Sequence, residues 1–581
     1  MTFRNPPWLS MAAAGVLILA VMGAFANSLS GPFVYDDLPG IVENPSLSPD
    51  GAFLNLWKDV PHGVATRPVI QLSLAVNHAL GGLDPFGYHL FNLAVHVLAS
   101  LLLFGVLLAT FSGPRLSGTF GPRAPALAFF IALLWAVHPL QTESVTYVIQ
   151  RCESLMGMFL LLALYLSIRG FRSSRPLGWH VPAVFAFFLA AGSKEVAAAG
   201  PLVILAYDHV FERRGLRRCL SRSPVLYAGL ALGLAAMGTW YVLAGKPVTD
   251  VRAVVTYSRT DYLWTQARVV LHYLGQSLWP ANLSFSQYWV PRGFLGSLPA
   301  VAAAAALFAT SAWGALFRRS PAGFAGLAFF LILAPSSSFA PLICLAAEHR
   351  MYLPLAAPVA LVVAGGYWGG TALSRLPALS RPGVRATGRW GGVLLLCVLA
   401  LVLGLLTRER NRVYQSETAL WRDTAEKTPG NPLALYNLGT CLLAEGDEAR
   451  AEEAFRMAIA VGPGMAGPHY NLANLLAQSG RLAEARDEYQ KVLVINPENP
   501  MARMNLGNTL LLQGEPQKAE GQYRRVTEIS PGDPRAWRNL GLVQARLGKG
   551  REAAQSLSRA LDLDPGDRAA QKILQSLGTA P

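Results

Sequence analysis

The chain has 581 residues, 52% of them hydrophobic and 14% charged, with a formal net charge of +14. A soluble protein carries roughly 25% charged residues, so this composition excludes an ordinary soluble enzyme. The basic residues fall in short clusters between apolar runs, such as Arg169, Arg172 and Arg175, then Arg214, Arg217 and Arg218, which is the pattern of membrane-protein loops and not of a nucleic-acid surface.

In chain order, eleven apolar runs reach the length a bilayer-crossing helix needs: 9–29, 88–111, 124–140, 153–169, 179–194, 195–211, 223–245, 297–317, 322–342, 351–370 and 390–407. The first is read as a retained anchor, because no small-residue cleavage site follows it cleanly. With the N-terminus cytoplasmic, the loops near 112–123, 169–178, 212–222, 318–321 and 371–389 all lie inside, and each carries arginine. The stretch YLWTQARVVLHYLGQSLWP (262–280) is amphipathic, with Arg268, His272 and Gln276 in helical register, and reads as an outer interfacial helix. An odd number of spans places the polar remainder outside. The expected domains are therefore a membrane part, 1–407, and an extracytoplasmic part, 408–581.

Polar residues beside membrane helices are costly and point to function. On this topology they gather on the outer side. The first outer loop, 30–87, carries Asp36, Asp37 and Arg67; HPLQTESVTYVIQRCESL carries His138, Glu143 and Arg151; a turn between two spans carries Lys194 and Glu195; and AAEHRMYLP carries Glu348, His349 and Arg350. Carboxylates serve as acid or base, and Arg or Lys serves to hold a phosphate. The five cysteines show no paired spacing, which argues against a disulfide framework or a zinc site. A divalent metal is compatible with the acidic residues, but no ligand spacing demands one, and no cofactor is implied with certainty.

The C-terminal part repeats every 34 residues: Leu438, Leu472, Leu506 and Leu540 are in phase, as are Gly446, Gly480, Gly514 and Gly548, then Ala451, Ala485, Ala519 and Ala553, with Pro463, Pro497, Pro531 and Pro565 closing each unit. This resembles the tetratricopeptide repeat, in which paired amphipathic helices stack because neither buries its apolar face alone. ETALWRDTAEKTPG (417–430) fits the second half of an earlier unit, with Trp421 in phase with Phe455. The small Gly and Ala residues are expected where helices cross closely. Such arrays bind protein or peptide in their concave face.

The segments FVYDD…IVENPSL, TRPVIQLSLAVNHALGGLDPFGYHLFNLAVH, WAVHPLQTESVTYVIQRCESLMG, SKEVAAAGPLVILAYD and LAAEHRMYLPL, followed by the repeats, resemble the transmembrane and tetratricopeptide-repeat-containing protein family. That family is similar to GT-C superfamily glycosyltransferases, including protein O-mannosyltransferases. The resemblance implies an all-α protein, a polytopic GT-C-like helix bundle followed by a repeat solenoid. It also implies a glycosyltransferase that moves a sugar, mannose by family, from a polyprenyl-phosphate donor to Ser or Thr of a protein recruited by the repeats. In that frame Asp36 and Asp37 are the catalytic candidates, with Asp36 preferred as base and the other aspartate left for a metal or a loop contact. Arg151, Lys194 and Arg350 are candidates for the donor phosphate. Glu143 and His349, with Arg67 and His138 beside them, are candidates to orient acceptor or sugar. Compact size, short loops and an Ala/Gly/Arg-rich composition indicate a bacterial inner-membrane relative with periplasmic repeats. Two other classes compete: a non-enzymatic membrane-anchored repeat scaffold for envelope assembly, and a ligase or polymerase of the O-antigen type, which differs in placing its large outer loop late in the chain.

Overall fold

A computed structural model describes residues 7–47, 66–212, 214–243, 258–338, 342, 344–376 and 382–578. Residues 48–65 of the expected first outer loop, and 377–381 of the expected arginine loop at 371–389, lie outside them. Among the described residues the protein is helical, and its β pairing is a bridge between Gln287 and Ala346. Two compact units divide the chain, Met1–Leu420 and Trp421–Pro581.

The first unit opens with α1 (Pro7–Phe25), which contains no charged residue. Two helices follow, α2 (Pro68–Gly81) and α3 (Pro85–Phe111), each started by a proline, whose missing N–H costs nothing in a first turn. The Asp84 carboxylate caps α3 by accepting the Phe86 N–H at 3.1 Å. Then come α4 (Ala124–Ala136), α5 (Arg151–Phe171), α6 (Leu177–Ala191), α7 (Gly200–Phe211), α8 (Pro224–Leu243), α9 (Arg259–Leu278), α10 (Phe294–Leu316), α11 (Pro321–Leu333), α12 (Ala356–Leu373) and α13 (Pro382–Arg412).

Among the described residues, eight helical stretches are long and apolar enough to cross a membrane. They match eight of the eleven expected spans. The other three correspond to α6, α7 and α11, which run for only 15, 12 and 13 residues. At 1.5 Å per residue these fall short of a hydrocarbon core of roughly 30 Å, so among the described residues eight full-length apolar helices stand against eleven expected spans. A second correction concerns the first outer loop. It contains α2, whose buried Ile70, Gln71, Leu74 and Asn77 recur at helical spacing.

The core of this unit is built on Trp135, His96 and Tyr352. The Trp135 Nε1–H donates to the Tyr352 carbonyl at 2.8 Å, and His96 bonds the Tyr352 hydroxyl through Nδ1 and the Ala136 carbonyl through Nε2, both at 2.9 Å. Gly157 lets the Tyr352 ring lie where a Cβ would be 2.8 Å from it. The last turn of α13 is fastened to the end of α1: Asn411 donates to the Ala24 carbonyl and to Asn27 Oδ1 at 3.0 Å, and accepts from Thr146 Oγ1 at 2.9 Å.

The second unit contains four helix pairs: Pro432–Ala444 with Glu448–Val461, Ala466–Gln478 with Leu482–Ile495, Pro500–Leu512 with Pro516–Ile529, and Pro534–Arg546 with Gly550–Leu563, closed by Arg568–Gly578. Ala451, Ala485, Ala519 and Ala553 are fully buried, as the repeat pattern requires. The in-phase glycines act differently from the expectation. Gly446, Gly480, Gly514 and Gly548 have φ between 73° and 82° and open space where a Cβ would sit, so they turn the chain between the two helices of a pair. The close crossing belongs to another glycine: a Cβ on Gly439 or Gly507 would lie 2.6 Å from the Phe455 or Tyr523 ring.

Candidate functional site

Four segments of the first unit converge: the loop after α1, the segment 138–150 before α5, the segment 344–351 before α12, and the end of α13. Tyr35 has φ 48°, a left-handed backbone rarely adopted by a residue with a side chain, and the two aspartates that follow part company. Asp37 is fully buried, and its carboxylate accepts the main-chain N–H of Val34 at 3.1 Å and of Ile149 at 2.7 Å. Burial pushes its pKa up to about 7, against the pull of those two N–H groups. Asp36 has an exposed side chain, and its own N–H donates to the Tyr147 hydroxyl at 2.9 Å. The protein surrounding its carboxylate raises its pKa, while Tyr147 and the nearby His349 oppose that shift. The rings of Tyr35, Tyr147 and Tyr414 meet Phe285 edge-on at 5.8, 5.2 and 6.1 Å.

Beside this loop stands a second pair. His349 Nδ1 lies 2.6 Å from Glu143 Oε1, and the His349 main-chain N–H donates to Glu143 Oε2 at 2.9 Å. Burial would raise Glu143, but the imidazole and the N–H of His349 hold it below the usual glutamate range, helped by Arg410. Glu348 is its opposite: buried, 3.7 Å from Arg410, bonded to the Ser284 N–H and to Gln287 Nε2, and pushed by burial up to about 7. Two carboxylates around one arginine are thus driven apart in acidity, an arrangement that separates acid from base roles.

The remaining candidates are engaged within the protein. Arg151 is fully buried and donates to Asn77 Oδ1 at 2.7 Å, Ser73 Oγ at 3.4 Å and the Tyr88 carbonyl at 3.2 Å, with its guanidinium 4.7 Å from the Phe91 ring centre. Lys194 pairs with buried Glu153 at 2.8 Å. Arg350 donates to the carbonyls of Ser336, Leu345 and Cys344. Arg67 faces Glu195 at 3.4 Å, and Glu195, which also accepts the Tyr241 hydroxyl, drops to about 2: burial alone would raise it, but Arg67 and Lys194 outweigh burial. His138 is buried, accepts the Leu140 N–H through Nδ1, and is lowered by burial to about 4, which makes it a neutral cap for the turn that follows. Among the described residues no group of three or more His, Cys, Asp or Glu comes together as a metal cage.

Sequence reasoning gave no role to Tyr147, Arg410 or Asn411, nor to Ser284 and Gln287. For Arg410 and Asn411 the one visible signal was TRERNR, at the end of the last apolar run.

Tetratricopeptide-repeat models match residues 401–466 and 470–534, and a second such model matches 510–577. Over 518 residues the chain is 26% identical to protein O-mannosyl-transferase TMTC4 of Mus musculus, covering 78% of this chain and 66% of that one. Over 564 residues it is 26% identical to protein O-mannosyl-transferase Tmtc1 of Drosophila melanogaster, covering 78% and 62%. A shorter match to human TMTC4 reaches 35% over 193 residues, 30% of this chain and 25% of that one. The matches therefore span at most about two thirds of these relatives' own length. Among solved structures, YrrB, a TPR protein with an unusual peptide-binding site, is similar at 23% identity over 27% of this chain and 82% of that chain, with a TM-score of 0.26. With long apolar helices ahead of tetratricopeptide repeats, and a likeness that runs through both, the chain is similar to the TMTC protein O-mannosyl-transferases at about a quarter identity.

Proposed function

We infer that the protein is an integral-membrane glycosyltransferase that moves mannose from a polyprenyl-phosphate carrier to a Ser or Thr hydroxyl of a protein held by its repeats. The reading rests on the likeness to the TMTC transferases and on one observation: two adjacent aspartates are divided between an outward carboxylate and a buried one. Asp36 takes the proton as the acceptor oxygen attacks the anomeric carbon. The bond from that carbon to the phosphate oxygen breaks, and its electron pair leaves with the lipid phosphate. Asp37 ties the loop to Ile149 and Val34 and so aims Asp36. The Glu143–His349 pair orients acceptor or sugar, with Arg67 and His138 in the surrounding frame.

Arg151, Lys194 and Arg350 were the expected phosphate ligands, but each is hydrogen-bonded to protein groups. In this reading they brace the loops, and phosphate recognition falls to other cations. The same reading places the active end and the repeats outside the membrane, in the periplasm of a bacterium. The test offers labelled polyprenyl-phosphate mannose and an envelope-protein extract to the purified chain and to its Asp36→Asn variant. Transfer by the wild type alone supports the reading. Equal transfer by both sinks Asp36 as base. Absence of transfer from any lipid-linked sugar favours a scaffold.

A further inference from the structure

Arg67 and Arg151 each keep a buried Nε without a partner but place their other donors on protein groups; α9 carries a further cation with a donor left over. Arg268 lies with its guanidinium 5.2 Å from the Trp289 ring centre, and its Nη1 is buried without a hydrogen-bond partner. A buried guanidinium donor left without a partner is costly and favours a ligand that accepts from it. A second cation stands beside it. The main-chain N–H of Arg292 donates to Thr265 Oγ1 at 3.1 Å, one turn from Arg268, and its exposed guanidinium repels that of Arg268. Among the described residues neither arginine makes an ion pair; Asp261, two turns away along α9, takes the Ser258 hydroxyl instead.

The same stripe continues toward the aspartate site. His272 packs edge-to-face with Trp289 at 5.3 Å, and Gln276, one turn further, is buried with both side-chain amide atoms unpartnered. Trp289 Nε1–H donates to Gln287 Oε1, and Gln287 Nε2–H donates to Glu348 Oε1, both at 3.4 Å. The arginine pair is thus joined through two side chains to the residue preceding His349. Leu278, Trp279 and Val290 flank it as exposed apolar groups, which suits an interfacial helix beside lipid.

We propose that Arg268 and Arg292, backed by Trp289, receive the phosphate of a prenyl-chain phosphate, with Gln276 hydrogen-bonding the group carried on it. This rests on the transferase reading above and supplies its missing phosphate site. A guanidinium stacked on an aromatic ring is held flat and presents paired N–H groups to phosphate oxygens. The orphaned Nη1 and the uncompensated pair of like charges are both satisfied by one bound phosphate.

The test needs no sugar transfer. The full chain, in phosphatidylcholine nanodiscs, is titrated with farnesyl phosphate, and occupancy is read by native mass spectrometry. Arg268→Gln is expected to weaken binding about tenfold, the equivalent of one charge-assisted hydrogen bond. Arg268→Lys recovers part of that loss, and Arg292→Gln weakens binding severalfold. Should Arg268→Gln lower the melting temperature, the exposed Arg292 decides alone. Wild-type binding by both glutamine variants overturns the proposal. Displacement of the probe by an equal concentration of phosphatidylglycerol, or of inorganic phosphate, also overturns it, by showing a general anion site. A chain that binds farnesyl phosphate through these arginines yet moves no sugar keeps this site and loses the transferase.

Discussion

The main-chain N–H of Ile149 donates to the Asp37 carboxylate at 2.7 Å, across 112 residues of sequence. This bond pins the loop after the first membrane helix to the segment that precedes α5. It separates two chemically identical neighbours into a support and an outward acid.

Asp36→Asn and Asp37→Asn should therefore fail in different ways. The first removes a base without loosening the loop, and transfer should fall by roughly 100- to 10,000-fold while the melting temperature stays put. The second offers one acceptor oxygen where two N–H groups need one each, and should cost roughly 1–3 kcal/mol of stability. Paired activity and thermal-melting measurements check the contrast; a stability loss at Asp36 with none at Asp37 would reverse the assignment.

The buried acid also sets a pH dependence. Asp37 is raised from 3.8 to about 7, so the folded protein holds a proton that the unfolded chain has lost between those values. Stability from this group is full below the lower value, declines as pH rises through the window, and levels off above about 7, by at most roughly 1.4 kcal/mol per pH unit. Melting temperatures of wild type and Asp37→Asn, taken from about pH 5 to about pH 8, should converge as pH rises.

Glu143 and His349 share two bonds, so their substitutions should not add. In a double-mutant cycle with Glu143→Gln and His349→Ala, the coupling is expected to exceed about 1 kcal/mol. Additive losses in kcat/KM would show that the two side chains act separately.

Three glycines of the repeat unit give two losses, of different cause, and one gain. Gly480→Ala meets a φ of 78° and should cost roughly 1–2 kcal/mol. Gly507→Ala drives a methyl against the Tyr523 ring and should cost roughly 1–3 kcal/mol. Gly521→Ala, inside a helix with open space around it, should gain about 0.5–1 kcal/mol. Hydrogen exchange over the repeats of the full chain measures all three.

The repeats were legible because their period, turns and small residues recur every 34 positions, yet the glycines carried two roles that periodicity alone does not separate. A conserved phase says that a residue repeats; only φ or a neighbouring ring says why. The amphipathic register of Arg268, His272 and Gln276 was equally visible, since helical spacing is local. That Asp36 and Asp37 face different surroundings was legible, since adjacent side chains point apart; what holds Asp37 was not, because it depends on an N–H more than a hundred residues away. The same holds for Arg151 and Lys194, whose charge suggested a phosphate but whose partners lie on other segments, while Arg350 turns back onto main-chain carbonyls just before it. Span counting overshot because hydropathy joins a short apolar helix to its apolar flanks, and α6, α7 and α11 end sooner than their sequence does.

The buried bonds of Arg151 have a consequence for the order of biogenesis. Its partners Ser73, Asn77 and Tyr88 all precede it in the chain, so each has left the ribosome before the arginine emerges. The acceptors of Arg350 at positions 336, 344 and 345 also come first. Neither cation has to enter the bilayer ahead of the groups that solvate it. Glu153 is the exception: its partner Lys194 follows by 41 residues, so α5 becomes electrically settled only after α6 has been threaded.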